Sequence, residues 1–437
     1  MNQFWTSEKK TRLDSFLFST FCIIAAFGTY FCMYAFRKPF TAATYEGEIW
    51  LGTGLKTIFI AAQVAGYTCS KFLGIKFVSE MPPRYRAVAI LVLVGIAEVA
   101  LLLFAITPSP WNFIWLFVNG LPLGMVFGLV IGFLEGRKLT EALTAGLCAS
   151  FILASGVVKS VGRSLIEESN VDQYWMPFWT GFRFIIPLFL FVWMLSKIPP
   201  PTQEDEALRS RRLPMNKQHR QAFFKRHRVG LICLLCVYCL LTIVRSIRDD
   251  FAVEIWTELG VEGKPAVFTT SEFWVMIGVV LINGFAILIR NNRFAFMTTL
   301  GLLSVGFMIV LKAVIGYQTG LISPMVFMVL LGLGMYIPYV AFHTTVFERM
   351  LAVFRETGNI GYLLYLADAV GYLGYIGVMV LGNTSAGEID FLDLLIWTSV
   401  VVSLASTLIT GGLLVYYHRT IANDNHAEAE PLGNEEN

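Results

Sequence analysis

The sequence is poor in charged residues and in cysteine, and it has almost no net charge. Of the 437 residues, only 15% are Asp, Glu, Lys or Arg, whereas a soluble protein of this size carries about a quarter. A net charge of +2 offers no surface that follows a phosphate backbone, which excludes nucleic-acid binding as a main role. The seven cysteines lie mostly inside apolar runs and support no disulfide framework. The chain therefore does not belong to the soluble globular class.

Several catalytic and metal-binding patterns are also missing. The sequence contains no His-Glu-x-x-His, no Gly-x-Ser-x-Gly and no pair of aspartates set face to face within apolar runs, so it predicts no enzyme. Cys233, Cys236 and Cys239 share one helical face, but no fourth cysteine or nearby histidine completes a ligand set. We therefore predict neither a metal nor a cofactor. No ten-residue segment alternates with period two, which excludes a membrane β-barrel.

Apolar residues make up 56% of the chain and come in long blocks. A hydrocarbon core ~30 Å thick takes about 20 residues per helix, so a dozen crossings take roughly 250 residues. Charge clusters and Pro or Gly breaks divide the blocks into twelve predicted spans: 16–36, 54–79, 87–106, 111–134, 140–163, 177–196, 229–250, 270–290, 294–315, 323–347, 357–382 and 391–416. The sequence thus predicts an all-α integral membrane protein with 12 transmembrane helices.

The positions of Lys and Arg predict how the chain is oriented. These residues precede span 1 and occupy the connections from spans 2 to 3, 4 to 5, 8 to 9 and 10 to 11: Lys9, Lys10, Arg12, Arg84, Arg86, Arg137, Lys138, Arg290, Arg293, Arg349 and Arg355. The connection from span 3 to span 4, residues 107–110, has no charge. Because basic loops stay on the cytoplasmic side, we predict a multi-pass protein of the cell membrane with both termini in the cytoplasm.

The longest polar stretch separates spans 6 and 7. Residues 197–228 carry nine basic residues against three acidic ones. They form a predicted cytoplasmic linker between an N-terminal half, 1–196, and a C-terminal half, 229–418, which is followed by an acidic, disordered tail, 419–437. Two six-helix halves around a long basic loop resemble the layout of the major facilitator superfamily, in which substrate binds near the membrane midplane between pseudo-symmetric halves.

Span 4 has a glycine at every fourth position. These are Gly120, Gly124, Gly128, Gly132 and Gly136. Residues four apart lie on one helical face, so this stripe lets another backbone approach closely. Static packing within the chain is the favoured interpretation, and a dimer interface is the alternative.

Charged residues inside the spans indicate the sign of the charge that the substrate carries. Each costs several kcal/mol in a membrane unless it faces water, a partner or the interface, and the basic ones outnumber the acidic ones: Lys71, Glu98, Lys159, Arg183, Arg245 and Asp368. Unpaired cations in a cavity favour an anion, and planar guanidinium groups suit phosphate oxygens. Arg37 ends span 1 and Arg245 lies in span 7, which are equivalent helices of the two halves. We expect this pair to clamp one dianion.

Short motifs resemble the organophosphate:phosphate antiporter family, which includes the glycerol-3-phosphate and hexose-phosphate transporters. The run from Tyr30 to Phe40, containing Tyr34 and the Arg37-Lys38 pair, is similar to that family's first-helix signature. Further matches follow in the family's order: Tyr67 with Ser70-Lys71-Phe72, Arg245 with Asp250, Tyr336 with Pro338 and His343, and Gly371-Tyr372-Leu373-Gly374. The resemblance implies that Arg37 and Arg245 bind phosphate and that Tyr30 and Tyr34 line the pore.

The remaining candidate residues have expected roles around this clamp. Lys71 or Lys159 adds positive charge; Tyr67, Tyr336 and Tyr372 line the cavity; and His343 reports substrate or protonation. Asp250 either orients Arg245 or seals the outer gate, and Asp368 pairs with a cavity cation. Lys38 and Arg248 complete the expected gating and ion-pair group.

Together these observations predict a secondary transporter for a small organic anion. A phosphorylated metabolite exchanged for inorganic phosphate is the leading substrate, carried by rocking of the two halves. The resemblance also favours a monomer in the lipid bilayer. Transport of a carboxylate or another anion, and a membrane sensor that does not transport, remain the alternatives.

Overall fold

Helices account for almost all of the regular structure. The computed structural model of the protein describes residues 12–134, 137, 140–200, 217–261, 264–354, 360–382 and 390–429. The helices are α1 Arg12–Arg37, α2 Leu55–Glu80, α3 Pro83–Ile106, α4 Phe113–Leu134, α5 Thr140–Glu167, α6 Met176–Ser196, α7 Lys217–Asp250, α8 Ala252–Glu258, α9 Ala266–Ile287, α10 Asn292–Gln318, α11 Pro324–Ala341, α12 Phe347–Val353, α13 Ile360–Gly382 and α14 Phe391–Ala429. Pro39–Ala42 forms a 3₁₀ turn and Phe342–Val346 a π-helical turn.

The predicted helical class is confirmed. Among the described residues, eleven helical segments are long and apolar enough to cross a membrane, by length and composition, and they match eleven of the twelve predicted spans. The remaining span, the second, is the continuous helix α2, whose polar residues include Lys56, Gln63 and Lys71. In the described part of the chain, the strands are a two-stranded antiparallel pair, Ile49–Trp50 with Thr53–Gly54, in the loop between α1 and α2.

Two stretches are more helical than the sequence predicted. Helix α7 begins at Lys217, inside the predicted linker, and its backbone leaves helical geometry once, at His227. Helix α14 continues to Ala429, so eleven residues of the predicted disordered tail, 419–429, are helical. Residues 201–216 of the predicted linker and 430–437 of the tail lie outside the described residues.

Helices α1–α6 are called the early group and helices α7–α14 the late group. The two groups contact each other mainly through two pairs of helices. Helix α2 packs against α13, and α5 packs against α9. Within the early group α1 packs against α5 and α6, and α2 against α4. Within the late group α7 packs against α13 and α14. Residues of helices α1, α2, α4, α5, α11 and α13 border a space between the two groups, and the candidate functional site lies there.

The glycine stripe of α4 packs inside the chain. A Cβ on Gly120 would overlap the backbone carbonyl oxygen of Gln63 in α2 and would lie 2.8 Å from the Tyr67 nitrogen. On the facing helix, a Cβ on Gly66 would overlap the carbonyl oxygen of Phe117 in α4. The two backbones touch, which only glycine permits. This contact confirms that the glycine stripe, at Gly120, serves static packing within the chain.

Candidate functional site

A small cavity lies between the early and late helices. It is lined by residues of α1, α2, α4, α5, α11, the π-helical turn and α13: Tyr30, Tyr34, Arg37, Tyr67, Lys71, Phe127, Phe151, Tyr339, His343, Asp368 and Tyr372. Seven of these eleven side chains are Phe or Tyr. The wall is thus mainly aromatic, with two cations, one carboxylate and one imidazole set into it.

Arg37 is the cation at the α1 side of this cavity. It is 2% exposed, and its guanidinium carbon lies 3.8 Å from the centre of the Tyr67 ring. One terminal nitrogen donates a 3.4 Å hydrogen bond to the Tyr372 hydroxyl, and the Nε has no partner. Among the described residues, no carboxylate forms an ion pair with Arg37. The charge is therefore balanced only by ring faces and a hydroxyl dipole.

Arg245, on α7, lies directly behind the cavity wall. It is 5% exposed, and its guanidinium carbon lies 4.5 Å from the centre of the Tyr339 ring, which is part of the lining. Its terminal nitrogen reaches the Ser246 hydroxyl at 3.4 Å, and its Nε is unpartnered. In the part of the chain that the structure describes, this arginine also has no acidic partner.

A buried amide network fixes the end of α1 that carries Arg37. The Gln63 side-chain amide donates to the Arg37 carbonyl oxygen and, at 3.2 Å, to the Asn119 side-chain oxygen. Asn119 in turn donates to the carbonyl oxygens of Phe36 at 2.9 Å and Ala97 at 3.0 Å. The last turn of a helix has carbonyls without helical partners, and these two amides satisfy them. Neither Gln63 nor Asn119 was predicted from the sequence, where each appears as a single amide among apolar residues.

Lys71 and Asp368 form an ion pair at the opposite side of the cavity. The Lys71 Nζ lies 2.8 Å from Asp368 Oδ2. The other carboxylate oxygen accepts a 2.5 Å hydrogen bond from the Tyr238 hydroxyl and lies 3.9 Å from His343 Nε2. This pair joins α2 to α13, so it bridges the early and late helices and neutralises Lys71.

A second group of ion pairs lies at the end of the bundle where α1 and α7 terminate. We call it the terminal cluster: Lys38 with Asp250, Lys159 with Asp249 at 2.5 Å, and Lys56 with Glu254 at 2.6 Å. Each pair joins an early element to a late one. Lys56 precedes Lys71 by fifteen residues along α2, about 22 Å at 1.5 Å per residue. The cavity therefore lies between the terminal cluster and the Lys71–Asp368 pair.

The structure brings most of the predicted site residues together. Of the predicted substrate-binding residues, these line the cavity: Tyr30, Tyr34, Arg37, Tyr67, Lys71, His343 and Tyr372. Tyr336 lies behind the wall, with its ring 6.3 Å from that of Phe151. Lys159 differs from expectation, because it is not a lining residue and pairs with Asp249 in the terminal cluster.

The predicted gating residues separate in the structure. Asp250 pairs with Lys38 and accepts a 3.0 Å hydrogen bond from Tyr375, and among the described residues it forms no ion pair or hydrogen bond with Arg245. Arg248 pairs with Glu272 of α9 at 2.8 Å, within the late group of helices.

Sequence reasoning missed three lining rings and half of the terminal cluster. The missed residues are Phe127, Phe151, Tyr339, Lys56, Asp249 and Glu254. Tyr339 had a detectable signal, because Tyr336, Tyr339 and His343 follow the spacing of one helical face. The cluster acids had none beyond their charge, since no pattern along one helix identifies its partner on another.

Asp249→Asn is expected to loosen the terminal cluster. Asp249 accepts from Lys159 and from the Ser155 hydroxyl, and removing one partner of a buried pair leaves an uncompensated charge. Backbone amides of residues 40–42 and of Ala252–Glu258 should exchange with deuterium about 10-fold faster, a change of about 1.4 kcal/mol in local opening. Asp393→Asn, at an exposed site of α14, is the matched control. Unchanged exchange in both variants would contradict a closing role for the cluster.

Comparison with known proteins first identifies the family of the chain. Residues 39–420 match a family model described as "Family of unknown function (DUF5690)". The chain belongs to this family. The match begins directly after Lys38 and includes the whole cavity wall from α2 to α13. Among curated proteins, no sequence matches this DUF5690 member.

Solved structures with the same architecture are membrane transporters. A structure of the nucleoside transporter NupG matches with a TM-score of 0.59 and 15% identity, covering 90% of this chain and 98% of that one. A point mutant of NupG matches at 0.57 and 16%, covering 91% and 99%. A D-xylose-proton symporter matches at 0.57 and 14%, covering 90% and 97%. This DUF5690 member therefore has the all-α fold of the major facilitator superfamily, as predicted; at these identities the likeness concerns the fold alone.

Proposed function

We propose that this protein is a secondary transporter of a small organic anion, with a phosphorylated metabolite exchanged for inorganic phosphate as the leading substrate. One observation carries the proposal: Arg37 in the cavity wall and Arg245 directly behind that wall are both buried without an acidic partner among the described residues. The shared motifs with the organophosphate:phosphate antiporter family add independent support at the same two arginines.

The balance of charge around the cavity supports an anion of charge about −2. Each neighbouring lysine has its own carboxylate: Lys71 has Asp368, Lys38 has Asp250, Lys159 has Asp249 and Lys56 has Glu254. The two arginines are the cations left over. Two uncompensated charges in a water-poor site are costly, and a bound dianion removes that cost. The substrate would thus supply the negative charge that balances the two arginines.

The lining also favours a particular kind of anion. Guanidinium groups present paired N–H donors that match two oxygens of one phosphate or phosphonate group. The seven aromatic rings provide flat apolar faces for an organic part. A carboxylate satisfies the arginines less completely, because one carboxylate carries a single charge. An organophosphate fits both the charge and the aromatic wall.

Alternating access requires ion pairs that break and re-form between the two groups of helices. The terminal cluster closes one side of the cavity, and Lys71–Asp368 and Arg349–Glu141, the latter at 2.8 Å, join early to late helices further along the bundle. We propose that rocking of the halves breaks the ion pairs of the terminal cluster while Lys71–Asp368 and Arg349–Glu141 remain intact, and that the opposite movement does the reverse. Bound anion lowers the repulsion between the arginines, so the closed arrangement that permits rocking forms with substrate present.

Exchange in reconstituted vesicles tests this function. Purified protein is inserted into vesicles loaded with unlabelled phosphate, and the entry of labelled phosphate is measured with and without external organophosphates or dicarboxylates. We expect phosphate entry that organophosphates inhibit more strongly than dicarboxylates. Inhibition by dicarboxylates alone would favour the carboxylate alternative. Binding of phosphate without any exchange by folded protein would contradict transport and support the sensor alternative.

A further inference from the structure

Glu98 is a buried carboxyl group that the proposed anion site does not use. It is the sixteenth of the 24 residues of α3 and is 8% exposed. Neither of its carboxyl oxygens has a hydrogen-bond partner within the described part of the chain. An ionised carboxylate in such surroundings costs several kcal/mol or more, whereas a protonated carboxyl group is tolerated. The arrangement seen here therefore requires a proton on Glu98.

The space for this carboxyl group is built by a glycine. Gly181 of α6 faces it, and a Cβ at that position would lie 3.0 Å from the Glu98 carboxyl carbon and closer still to one oxygen. The same Cβ would lie 3.1 Å from the Phe36 ring of α1, so the carboxyl group sits where α1, α3 and α6 meet. The Thr180 hydroxyl, next to Gly181, is also buried without a partner among the described residues. The Glu98 carboxyl group is thus held at a helix crossing in surroundings that favour its uncharged form.

Among the residues that the structure describes, no ionised group on the helices packed against α3 compensates Glu98. Helix α4 contains no ionisable side chain, and the single charged residue of α6, Arg183, is exposed. Two charges lie at the end of α1: Arg37, its last residue, lies against Tyr67 in the cavity, and Lys38, which follows the helix, pairs with Asp250. The other titratable groups of the membrane-embedded part of α1 are neutral in their usual forms: Cys22, Tyr30, Cys32 and Tyr34. The nearest charges of α3 itself, Arg84 and Arg86, lie in its first turn.

We propose that Glu98 is a proton-binding site that couples transport to the movement of protons. The carboxyl group takes one proton from water in the arrangement of the halves that is open to one side of the membrane, and the proton stays on it in the closed arrangement. In the arrangement that is open to the other side, the O–H bond breaks and the proton returns to water, leaving a hydrated carboxylate. Proton binding itself is independent of the proposed anion transport, whereas the coupling rests on it.

A direct connection links this proton site to the anion site. Asn119 donates to the carbonyl oxygens of Ala97 and Phe36, which immediately precede Glu98 and Arg37. The Asn119 amide therefore bonds to both backbone segments, that of α3 next to the proton site and that of α1 next to the anion site. The closed arrangement needs a proton at Glu98 and an anion at Arg37, so both ligands favour the same state. Proton and anion should move in the same direction.

Infrared spectroscopy of the protein tests proton binding without any substrate. Wild type at neutral pH should show the carbonyl stretching band of a protonated carboxylic acid, and Glu98→Gln should lose it. Glu272→Gln, which alters a buried carboxylate paired with Arg248, should keep the band. A band that persists in Glu98→Gln, or no band in wild type, would overturn the proposal.

A labelling experiment on wild type avoids the risk that a variant misfolds. Dicyclohexylcarbodiimide reacts with protonated carboxyl groups in apolar surroundings and leaves an N-acylurea. Peptide mass spectrometry should find the adduct at Glu98, with a yield that falls as the pH is raised. A folded protein without adduct at Glu98 at any pH would contradict the inference.

The coupling is tested by a pH gradient of one unit across vesicles of the same protein that contain no phosphate, so that entry of labelled phosphate is net uptake. Wild type should accumulate labelled phosphate when the outside is acidic, by about 10-fold over vesicles at equal pH, because one pH unit is a tenfold proton gradient. Glu98→Gln should keep phosphate exchange at equal pH and lose the accumulation. Glu46→Gln, at an exposed loop site, should behave like wild type. Accumulation that survives in Glu98→Gln would overturn the coupling, and absence of exchange in wild type would instead contradict the proposed function.

Discussion

Arg37→Ala is expected to abolish measurable phosphate exchange. The residue supplies one of the two buried cations that lack an acidic partner among the described residues, and it meets the cavity at the Tyr67 and Tyr372 rings. Truncating one side of a buried, charged hydrogen-bonded contact costs about 2–4 kcal/mol, or roughly 30- to 1,000-fold in apparent affinity. Initial rates of labelled phosphate entry, measured over a range of phosphate concentrations, give the size of the loss.

Three further arginine variants separate the binding role from general effects. Arg245→Ala should lose a similar amount, and the double variant should lose less than the sum, because both residues act on one anion. Arg37→Lys keeps the charge but not the planar pair of donors, so exchange should be restored only in part. Arg183→Ala removes an exposed arginine of α6 and should change little. Equal activity of Arg37→Ala and Arg183→Ala would remove Arg37 from the site.

Gly120→Ala is expected to destabilise the protein strongly. The new Cβ would overlap the Gln63 carbonyl oxygen, which belongs to the backbone of α2 and cannot rotate away. Separating α2 from α4 should cost about 3 kcal/mol, at the upper end of the usual range for overpacking. The same shift moves Gln63, whose side chain donates to the Arg37 carbonyl oxygen. Thermal unfolding in detergent, followed by circular dichroism, measures the loss.

Gly95→Ala is the matched control for this prediction. Gly95 is also in the middle of a membrane helix, but a Cβ there would meet nothing within 4 Å. Its unfolding midpoint should equal or exceed that of wild type, because alanine is the better helix former. If Gly120→Ala and Gly95→Ala unfold at the same temperature, the close contact between α2 and α4 does not contribute to stability.

The sequence predicted the helices well because a membrane imposes a simple rule. Backbone groups inside the hydrocarbon must bond to one another, so long apolar runs become helices whatever their neighbours are. The predicted ends of the helices were wrong outside the hydrocarbon region, where this rule does not apply. Helix α7 extends back to Lys217 and α14 forward to Ala429, because polar residues outside the hydrocarbon are free to be helical or not, and hydropathy does not distinguish the two.

The charged residues show that the sequence did not predict which groups are paired with each other. Lys71 and Lys159 looked alike, as single lysines inside apolar runs. In the structure both are 2% exposed, yet Lys71 lines the cavity and Lys159 belongs to the terminal cluster. The difference depends on which helix lies opposite each lysine, and helix spacing alone carries no information about that neighbour.

By itself, the sequence determined the membrane class, the approximate positions of the long apolar helices and the positive bias of the buried charges, because each of these is a property of composition along one helix. The tertiary structure decided which cations are neutralised. It pairs four lysines with carboxylates on distant helices, leaves Arg37 and Arg245 against aromatic rings, and isolates Glu98 at a helix crossing. The physical reason is that compensation of charge in a low-dielectric interior depends on distances of a few ångströms between helices, and those distances are set only when the helices pack.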